Sequence, residues 1–299
     1  MSLLPFDLPA TFLSHAERSD EWAAWIAEVP RLTRDLLDEW ALTVDGPPAH
    51  GHTALVVPVS KDGRAAVLKV AWPHEECQHE ALALQHWHGR GAVQLLRADP
   101  RRNVMLLERL LPQDLTDVWD VEACEAVAGL YGALHVPAPP QLTKLSAYVT
   151  RWTLALADLP REAPLPRRIV EQAVHLGRTY AADPRTDGTM IHTDLDFENV
   201  LAADRAPWLV IDPQPLSGDP HYEVAPLLSN RWDEIVASGD VRDAVRRRFH
   251  TVVDVAALDE DRARDWVIVR EAHNSMWAIE DGDADRVTTA MAIIKAVQD

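Results

Sequence analysis

The chain has 299 residues with 29 basic and 47 acidic side chains, a net charge of −18 at neutral pH and 47% hydrophobic content. These values are globular and exclude a disordered, collagen-like or low-complexity chain, and the length fits one large domain or two joined lobes. The negative charge excludes nucleic acid and anionic membrane surfaces as natural partners and favours cationic ones, while only Cys77 and Cys124 are present, too few for a disulfide framework.

The opening MSLLPFDLPATFL has no cationic leader, and no run approaches 18 uninterrupted apolar residues, so a soluble cytoplasmic chain is expected. From Glu21 to Trp40, Trp22, Trp25, Ile26, Leu32, Leu36 and Leu37 recur at helical spacing, with Ser19 or Asp20 as N-cap and Pro30 expected to split or kink the helix. Ala54–Val59, the turn Lys61-Asp62-Gly63 and Ala65–Ala71 read as a β-hairpin. A helix is predicted over His74–His88, then strands at Val93–Arg97 and Val104–Arg109 joined by a polar turn. Beyond Leu110 the pattern becomes helical: Val121–His135, Ser146–Asp158, Pro166–Ala182, Val241–Ala257, Arg262–Glu280 and Ala284–Val297. Between those groups lies Thr189–Asn230, with short β-like runs at Val200–Ala202 and Trp208–Ile211, and such an insert among helices is where chemistry is expected. The chain therefore reads as α+β, with a sheet-containing lobe over 1–110 and a mainly helical lobe over 111–299. Residues 1–110 hold 15 acidic and 11 basic side chains (−4), leaving 32 and 18 (−14) for 111–299.

The strongest chemical signal is His192-Thr193-Asp194-Leu195-Asp196-Phe197-Glu198-Asn199, followed by Ile211-Asp212-Pro213. Phosphoryl transfer of the kinase type needs a carboxylate to accept the proton of the attacking hydroxyl, and an amide oxygen with a second carboxylate to hold Mg²⁺ against nucleotide phosphates. Asp194, Asn199 and Asp212 have the right types in the right order; as plain structure, Asp194 would form a turn and Asn199 would cap it. Lys69 closes an apolar strand and precedes a helix carrying Glu80, which suits an ammonium held toward the α- and β-phosphates; the plain alternative is a strand-end lysine and a solvated glutamate. Gly46-Pro-Pro-Ala-His-Gly51-His52-Thr53 imitates a Walker A loop, but His52 replaces the lysine and a strand follows, so Gly51 belongs either to a phosphate-covering turn between strands or to a plain turn. Glu108 and Leu110 end the last strand of the first lobe, either as an adenine-facing connector or as ordinary strand. His74, Cys77, His79, His86 and His88 crowd one segment without metal-ligand spacing and read as surface histidines. Trp277 beside Glu280 could stack on a ligand. Neither cysteine has the context of a nucleophile, and no G-x-S-x-G precedes a helix.

These segments resemble the aminoglycoside phosphotransferases, in the branch of streptomycin 6-phosphotransferase and hydroxyurea phosphotransferase. The resemblance is carried by Met190 to Leu201, Pro207 to Leu216, Gly218 to Leu228 and Asn230-Arg-Trp232, and continues through His50–Val59, Val67–Val70, His79–Ala83 and Leu106–Leu110. It implies a bilobed protein-kinase-like fold, a small antiparallel sheet in the first lobe, ATP or another NTP with Mg²⁺, and a cationic acceptor, streptomycin at its 6-hydroxyl being the expected one. Hydroxyurea or an amino sugar, and a kinase fold without catalysis, are the alternatives. It further implies Asp194 as base, Asn199 and Asp212 as metal ligands, Lys69 on phosphate positioned by Glu80, and His192 bracing the loop. Asp196 stands where many relatives have histidine and Gln214 where this branch often has lysine. Acceptor carboxylates are expected among Asp196, Asp219, Glu223, Glu271 and Glu280, and a monomer is favoured.

Overall fold

The computed structural model describes residues 4–75 and 77–298, so that Met1 to Leu3 of the opening segment and Glu76 of the predicted 74–88 helix lie outside it. The chain divides into two compact units, Met1–Leu111 and Pro112–Asp299. Among the described residues no helix is long and apolar enough to cross a membrane.

The first unit opens with a short helix α1 (Ala10–Leu13) and the long α2 (Asp20–Glu39), followed by β1 (Thr43–Val44), β2 (Ala49–His50), β3 (Ala54–Lys61), β4 (Arg64–Ala71), α3 (Glu80–Trp87), β5 (Leu95–Asp99) and β6 (Val104–Glu108). The strands form one antiparallel sheet in the order β1-β3-β4-β6-β5, with β2 also paired to β3. Side-chain alternation puts Leu55, Val57, Val59, Ala66, Leu68, Val70, Val104 and Leu106 on one face, where Trp25, Ile26, Val29, Leu36 and Leu37 of α2 bury against them. That shared core explains why Pro30 does not break α2: three of those α2 residues precede it and two follow it, and one continuous helix keeps both sets on the sheet. The missing backbone donor costs about 3 kcal/mol in a helix interior, less than the burial of several large apolar side chains contributes. Ser19 is the N-cap, accepting from the Trp22 amide.

The predicted helix over His74–His88 is shorter than its apolar period suggests and starts at Glu80. Before it, the His74 Nδ1 and the Cys77 thiol both reach the Trp72 carbonyl, at 2.8 and 3.3 Å, and these side-chain bonds favour a turn over a helix. The strand expected at Val93–Arg97 is displaced to Leu95–Asp99. Ala92 and Val93 are buried ahead of it, and the Gln94 amide is taken by the Glu108 carboxylate at 2.8 Å.

The second unit contains α4 (Asp120–Leu134), α5 (Leu145–Ala157), α6 (Arg167–Ala181), β7 (Thr189–Ile191), β8 (Val200–Ala202), β9 (Trp208–Val210), β10 (Leu216–Gly218), α7 (Ala225–Leu228), α8 (Trp232–Ala237), α9 (Val241–Val255), α10 (Glu260–Glu280) and α11 (Ala284–Gln298). α10 packs on α11, α6 and α5, while α4 and α11 pack on α9. Two small antiparallel ladders, β7 with β10 and β8 with β9, lie within the predicted insert. The β7–β10 pairing is too short to leave a periodic signal, and it depends on Gly218: a Cβ there would collide with the Ile191 side chain and sit 3.2 Å from Leu145.

Candidate active site

The loop from His192 to Asn199 leaves β7 and enters β8, so both of its ends are fixed by ladders. The β8–β9 ladder continues through the Ile211 amide onto the Asn199 carbonyl at 2.9 Å, which sets Asp212 one residue beyond a partner of Asn199. His192 is fully buried and braces the turn: its Nε2–H donates to the Ile211 carbonyl at 2.9 Å, and its Nδ1 accepts from the Asp194 amide at 3.3 Å. Only the neutral Nε2–H tautomer satisfies both bonds, and burial lowers the imidazole pKa, keeping it neutral. Thr193 and Asp212 both sit in the left-handed region, at φ 65° and 56°. For a β-branched residue this conformation costs about 1–3 kcal/mol and persists only where neighbours over-determine it. At Thr193 they do: its amide donates to Glu223 at 2.8 Å, its hydroxyl to the Gln214 carbonyl at 2.6 Å, and its carbonyl accepts from Arg270.

Asp194 is half-buried, and its Oδ2 accepts from the Gln214 side-chain amide at 3.0 Å. The Asn199 side-chain nitrogen donates to the Asp194 carbonyl at 2.7 Å, which turns the amide oxygen of Asn199 away as a free acceptor. An amide oxygen and a carboxylate on adjoining ladder ends are a hard donor set suited to Mg²⁺. Among the described residues no group of three or more His, Cys, Asp or Glu side chains could cage an ion. Two protein oxygens fill only part of the six-oxygen shell that Mg²⁺ takes, which leaves room for water or phosphate oxygens.

In the first unit, Lys69 lies on the central strand β4 between β3 and β6, on the face opposite α2. There its ammonium donates to both oxygens of Glu80, the first residue of α3, at 2.7 and 2.9 Å. The two are 7% and 1% exposed, so each is the other's counter-charge in a site neither could occupy alone. Gly51 lies in the β2–β3 turn, its amide on the Ala54 carbonyl at 3.0 Å, with open space where a Cβ would stand. The Glu108 side chain is folded back onto Gln94, while Leu110 is half-exposed past the end of β6.

Of the five carboxylates expected to meet an acceptor, the structure gathers two. A cavity of about 550 Å³ in the second unit is lined by Asp194, Asp196, Glu198, Arg270, Glu271 and Asn274, among others. Glu271 is 4% exposed, and among the described residues its carboxylate accepts only from Asn274, at 3.1 Å. Burial pushes its carboxyl up to about 7, against the pull of Arg270 and the Asn274 bond. Burial likewise lifts Asp196 to about 7, and the Asp194 charge adds to it. The cations on the cavity wall are already engaged: Arg270 with the Thr193 and Tyr222 carbonyls, Arg231 with the Thr116 carbonyl, Arg286 with Asp281. Among the described residues, Asp194, Asp196, Glu198 and Glu271 are in ion-pair contact with none of them.

The other three carboxylates are elsewhere. Asp219 is 2% exposed and receives Arg262 at 2.5 Å, Trp266 at 2.8 Å and His221 at 2.6 Å, so the Gly218-Asp-Pro220 stretch ties β10 to α10 and leaves no oxygen for a ligand. Burial opposes its ionisation, but His221, Trp266 and Arg262 together hold the carboxyl below the usual range. Glu223 is fully buried beneath the loop, bound to the His192 and Thr193 amides at 2.6 and 2.8 Å and to His135 Nε2 at 2.5 Å. Glu280 is exposed at the end of α10 and does not line the cavity. Trp277 packs edge-on against Trp152, ring centroids 5.0 Å apart, between α10 and α5. Gln214, Arg270 and Asn230, which accepts from the Phe197 amide at 3.0 Å, also belong to the site, through contacts that the spacing does not predict. Gln214 is marked in the sequence by standing where this branch often has lysine, and Asn230 by its place in the resembling Asn230-Arg-Trp232 run; Arg270 has no such mark.

Known proteins share the sequence and the fold of this chain. Residues 39–282 match the family model described as aminoglycoside/hydroxyurea antibiotic resistance kinase. Streptomycin 6-kinase of Streptomyces glaucescens is 42% identical over 93% of this chain and 92% of its own. Hydroxyurea phosphotransferase of Kitasatospora aureofaciens is 38% identical over 87% of this chain and 76% of its own. Among solved structures, the aminoglycoside phosphotransferase APH(4)-Ia in ternary complex with ADP and hygromycin B shares the fold at 16% identity, with a TM-score of 0.58 over 89% of this chain and 97% of that one. Choline kinase LicA from Streptococcus pneumoniae shares it at 14% identity, with a TM-score of 0.60 over 90% of this chain and 98% of that one.

Proposed function

The chain belongs to the aminoglycoside/hydroxyurea antibiotic resistance kinase family, and from that premise we propose that it transfers the γ-phosphate of ATP to the 6-hydroxyl of streptomycin in the cytoplasm, conferring resistance. The observation that carries the choice of acceptor is the cavity beside Asp194, where, among the described residues, Asp194, Asp196, Glu198 and Glu271 form no ion pair while the arginines are bound to backbone carbonyls or to Asp281. Streptomycin brings two guanidinium groups and an amine, whereas neutral hydroxyurea has no use for such charge.

In this reading Asp194 accepts the proton of the acceptor hydroxyl as the new O–P bond forms, the bond between the β-bridging oxygen and the γ-phosphorus breaks, and ADP leaves. The Asn199 amide oxygen and the Asp212 carboxylate would hold Mg²⁺, which when bound would supply positive charge against the phosphates. Lys69, steadied by Glu80, adds a fixed positive charge toward the α- and β-phosphates, and Gly51 covers them without a side chain. The connector at Glu108 and Leu110 offers backbone groups to the base. Asp196 and Glu271 receive cationic groups of the acceptor.

The test is ADP release with Mg²⁺-ATP and streptomycin, hydroxyurea, other aminoglycosides or amino sugars, with the product's phosphate position read by phosphorus NMR. Streptomycin-dependent release with phosphate on the 6-oxygen supports the proposal; release with hydroxyurea alone overturns the acceptor and keeps the chemistry. Glu271→Gln is expected to raise the streptomycin KM about 10–100-fold, the equivalent of one charge-assisted hydrogen bond of about 1.5–3 kcal/mol, with the ATP KM unchanged. The same residue predicts a pH dependence. With a carboxyl at about 7, Glu271 is charged and attractive above that pH and neutral below it. The streptomycin KM should therefore rise as pH falls from 8 to 6, and Glu271→Gln should remove its own share of that rise and leave the share of Asp196, whose carboxyl also lies at about 7. The charged groups facing Glu271 are Arg270 on its own helix and Arg286 on α11.

A further inference from the structure

We infer that Gln214 is a positioning residue for the base: its side-chain amide fixes one oxygen of Asp194 so that the other is presented to the acceptor hydroxyl. The inference rests on the reading of Asp194 as base and deepens it. Gln214 is joined to three successive loop residues. Its backbone amide donates to the His192 carbonyl at 3.0 Å, its carbonyl accepts from the Thr193 hydroxyl at 2.6 Å, and its side-chain Nε2 donates to Asp194 Oδ2 at 3.0 Å. With the backbone of Gln214 held at both ends, its side chain reaches Asp194 from a fixed origin.

The Asp194 carboxylate is half-buried and, among the described residues, in ion-pair contact with no cation. The torsion that turns a carboxylate about its bond to Cβ is broad, so an unheld aspartate presents either oxygen over a range of angles. A general base must place one oxygen within hydrogen-bond reach of the proton it takes, and misplacement of about 1 Å costs on the order of 10²-fold in rate. The Gln214 amide restricts that torsion from the side of Oδ2. Its orientation is fixed chemically, since a carboxylate oxygen only accepts and the amide oxygen turned toward it would repel. Gln214 touches no substrate in this role and acts only through Asp194.

The test uses the full chain and steady-state streptomycin-dependent ADP release. Gln214→Met keeps the length of the side chain and removes the donor, Gln214→Glu replaces the donor by an acceptor, and Gln214→Lys restores a donor. The expected result is a kcat lowered about 10–100-fold in Gln214→Met and further in Gln214→Glu, with both KM values within about twofold of the parent and with Gln214→Lys recovering most of the loss. Combined with Asp194→Ala, Gln214→Met is expected to add no further loss, because it has nothing left to orient. Turnover by Gln214→Met within about threefold of the parent, a loss confined to KM, or equal loss in the Met and Lys variants overturns the inference. Calorimetry of ATP binding and thermal unfolding of each variant separate these results from misfolding. If Asp194→Ala retains turnover, the reading of the base itself has failed; if it is inactive while Gln214→Met is normal, only the positioning role has.

Discussion

Asp194→Ala is expected to lower streptomycin-dependent turnover by about 10²–10⁴-fold, the range that a positioned general base contributes, while ATP binding measured by calorimetry stays within about twofold. The two quantities separate because the groups proposed for the phosphates, Lys69 with Glu80 and Asn199 with Asp212, hold their partners independently of the Asp194 side chain. Lys69 is fixed by Glu80 at 2.7 and 2.9 Å, and Asn199 is fixed by the backbone carbonyl of residue 194, which alanine retains. Asp194→Asn sharpens the measurement. Its amide oxygen can still accept from Gln214 Nε2, so shape and orientation survive, yet the group cannot take a proton at neutral pH. Equal losses in the Ala and Asn variants assign proton transfer to this carboxylate. An Asn variant within tenfold of the parent would show that only the shape of residue 194 matters and would remove it as the base.

How much of this site could be read beforehand depends on how local each interaction is. Asp194 and Asn199 fall within one loop of eight residues, and Asp212 follows after a single short hairpin, so spacing alone keeps them in register. Lys69 and Glu80 are eleven residues apart, and strand alternation followed by a helix start leaves few ways for them to miss each other. The carboxylates taken for acceptor ligands fared differently because a charge count does not distinguish an acid facing a cavity from one facing a buried arginine. Asp219 meets Arg262 across 43 positions, and Glu223 meets His135 across 88. Packing between α10, β10 and α4 decides those contacts, and no sequence period encodes it. The α+β division and the six long second-unit helices were legible for the opposite reason, since each is a long local run of helix formers, with a clear apolar stripe on α6 and α9 and burial on most sides of α10. The β7–β10 ladder is three residues a side, below the length at which alternation has meaning.

Glu223→Ala is expected to destabilise the second unit by about 3–5 kcal/mol, the usual result of removing one partner from a buried charged network, and to abolish most turnover without touching any group that meets substrate. The Glu223 carboxylate is 0% exposed and is the acceptor for two successive backbone donors, the His192 and Thr193 amides, and a partner of His135. Its removal strands both amides in an interior without water, and each buried unsatisfied donor costs about 1–3 kcal/mol. It also takes away one of the bonds that keep Thr193 at φ 65°. Relaxation of that residue toward the ordinary extended or helical region swings the next one, Asp194, away from Gln214. Glu223→Gln should lose less, because an amide oxygen can still accept from both backbone donors. The loss should also depend on pH in a defined direction. Burial works against the charged form of Glu223, but His135 and the Thr193 amide hold its carboxyl below the ordinary glutamate value of 4.5. A depressed native value means that its contribution is complete above about pH 4.5 and disappears as pH falls through the lower native value. Thermal unfolding of parent and Glu223→Ala should therefore differ most at neutral pH and converge in acid. A constant gap at every pH would mean that Glu223 acts by filling space, and that the shape of the catalytic loop owes nothing to its charge.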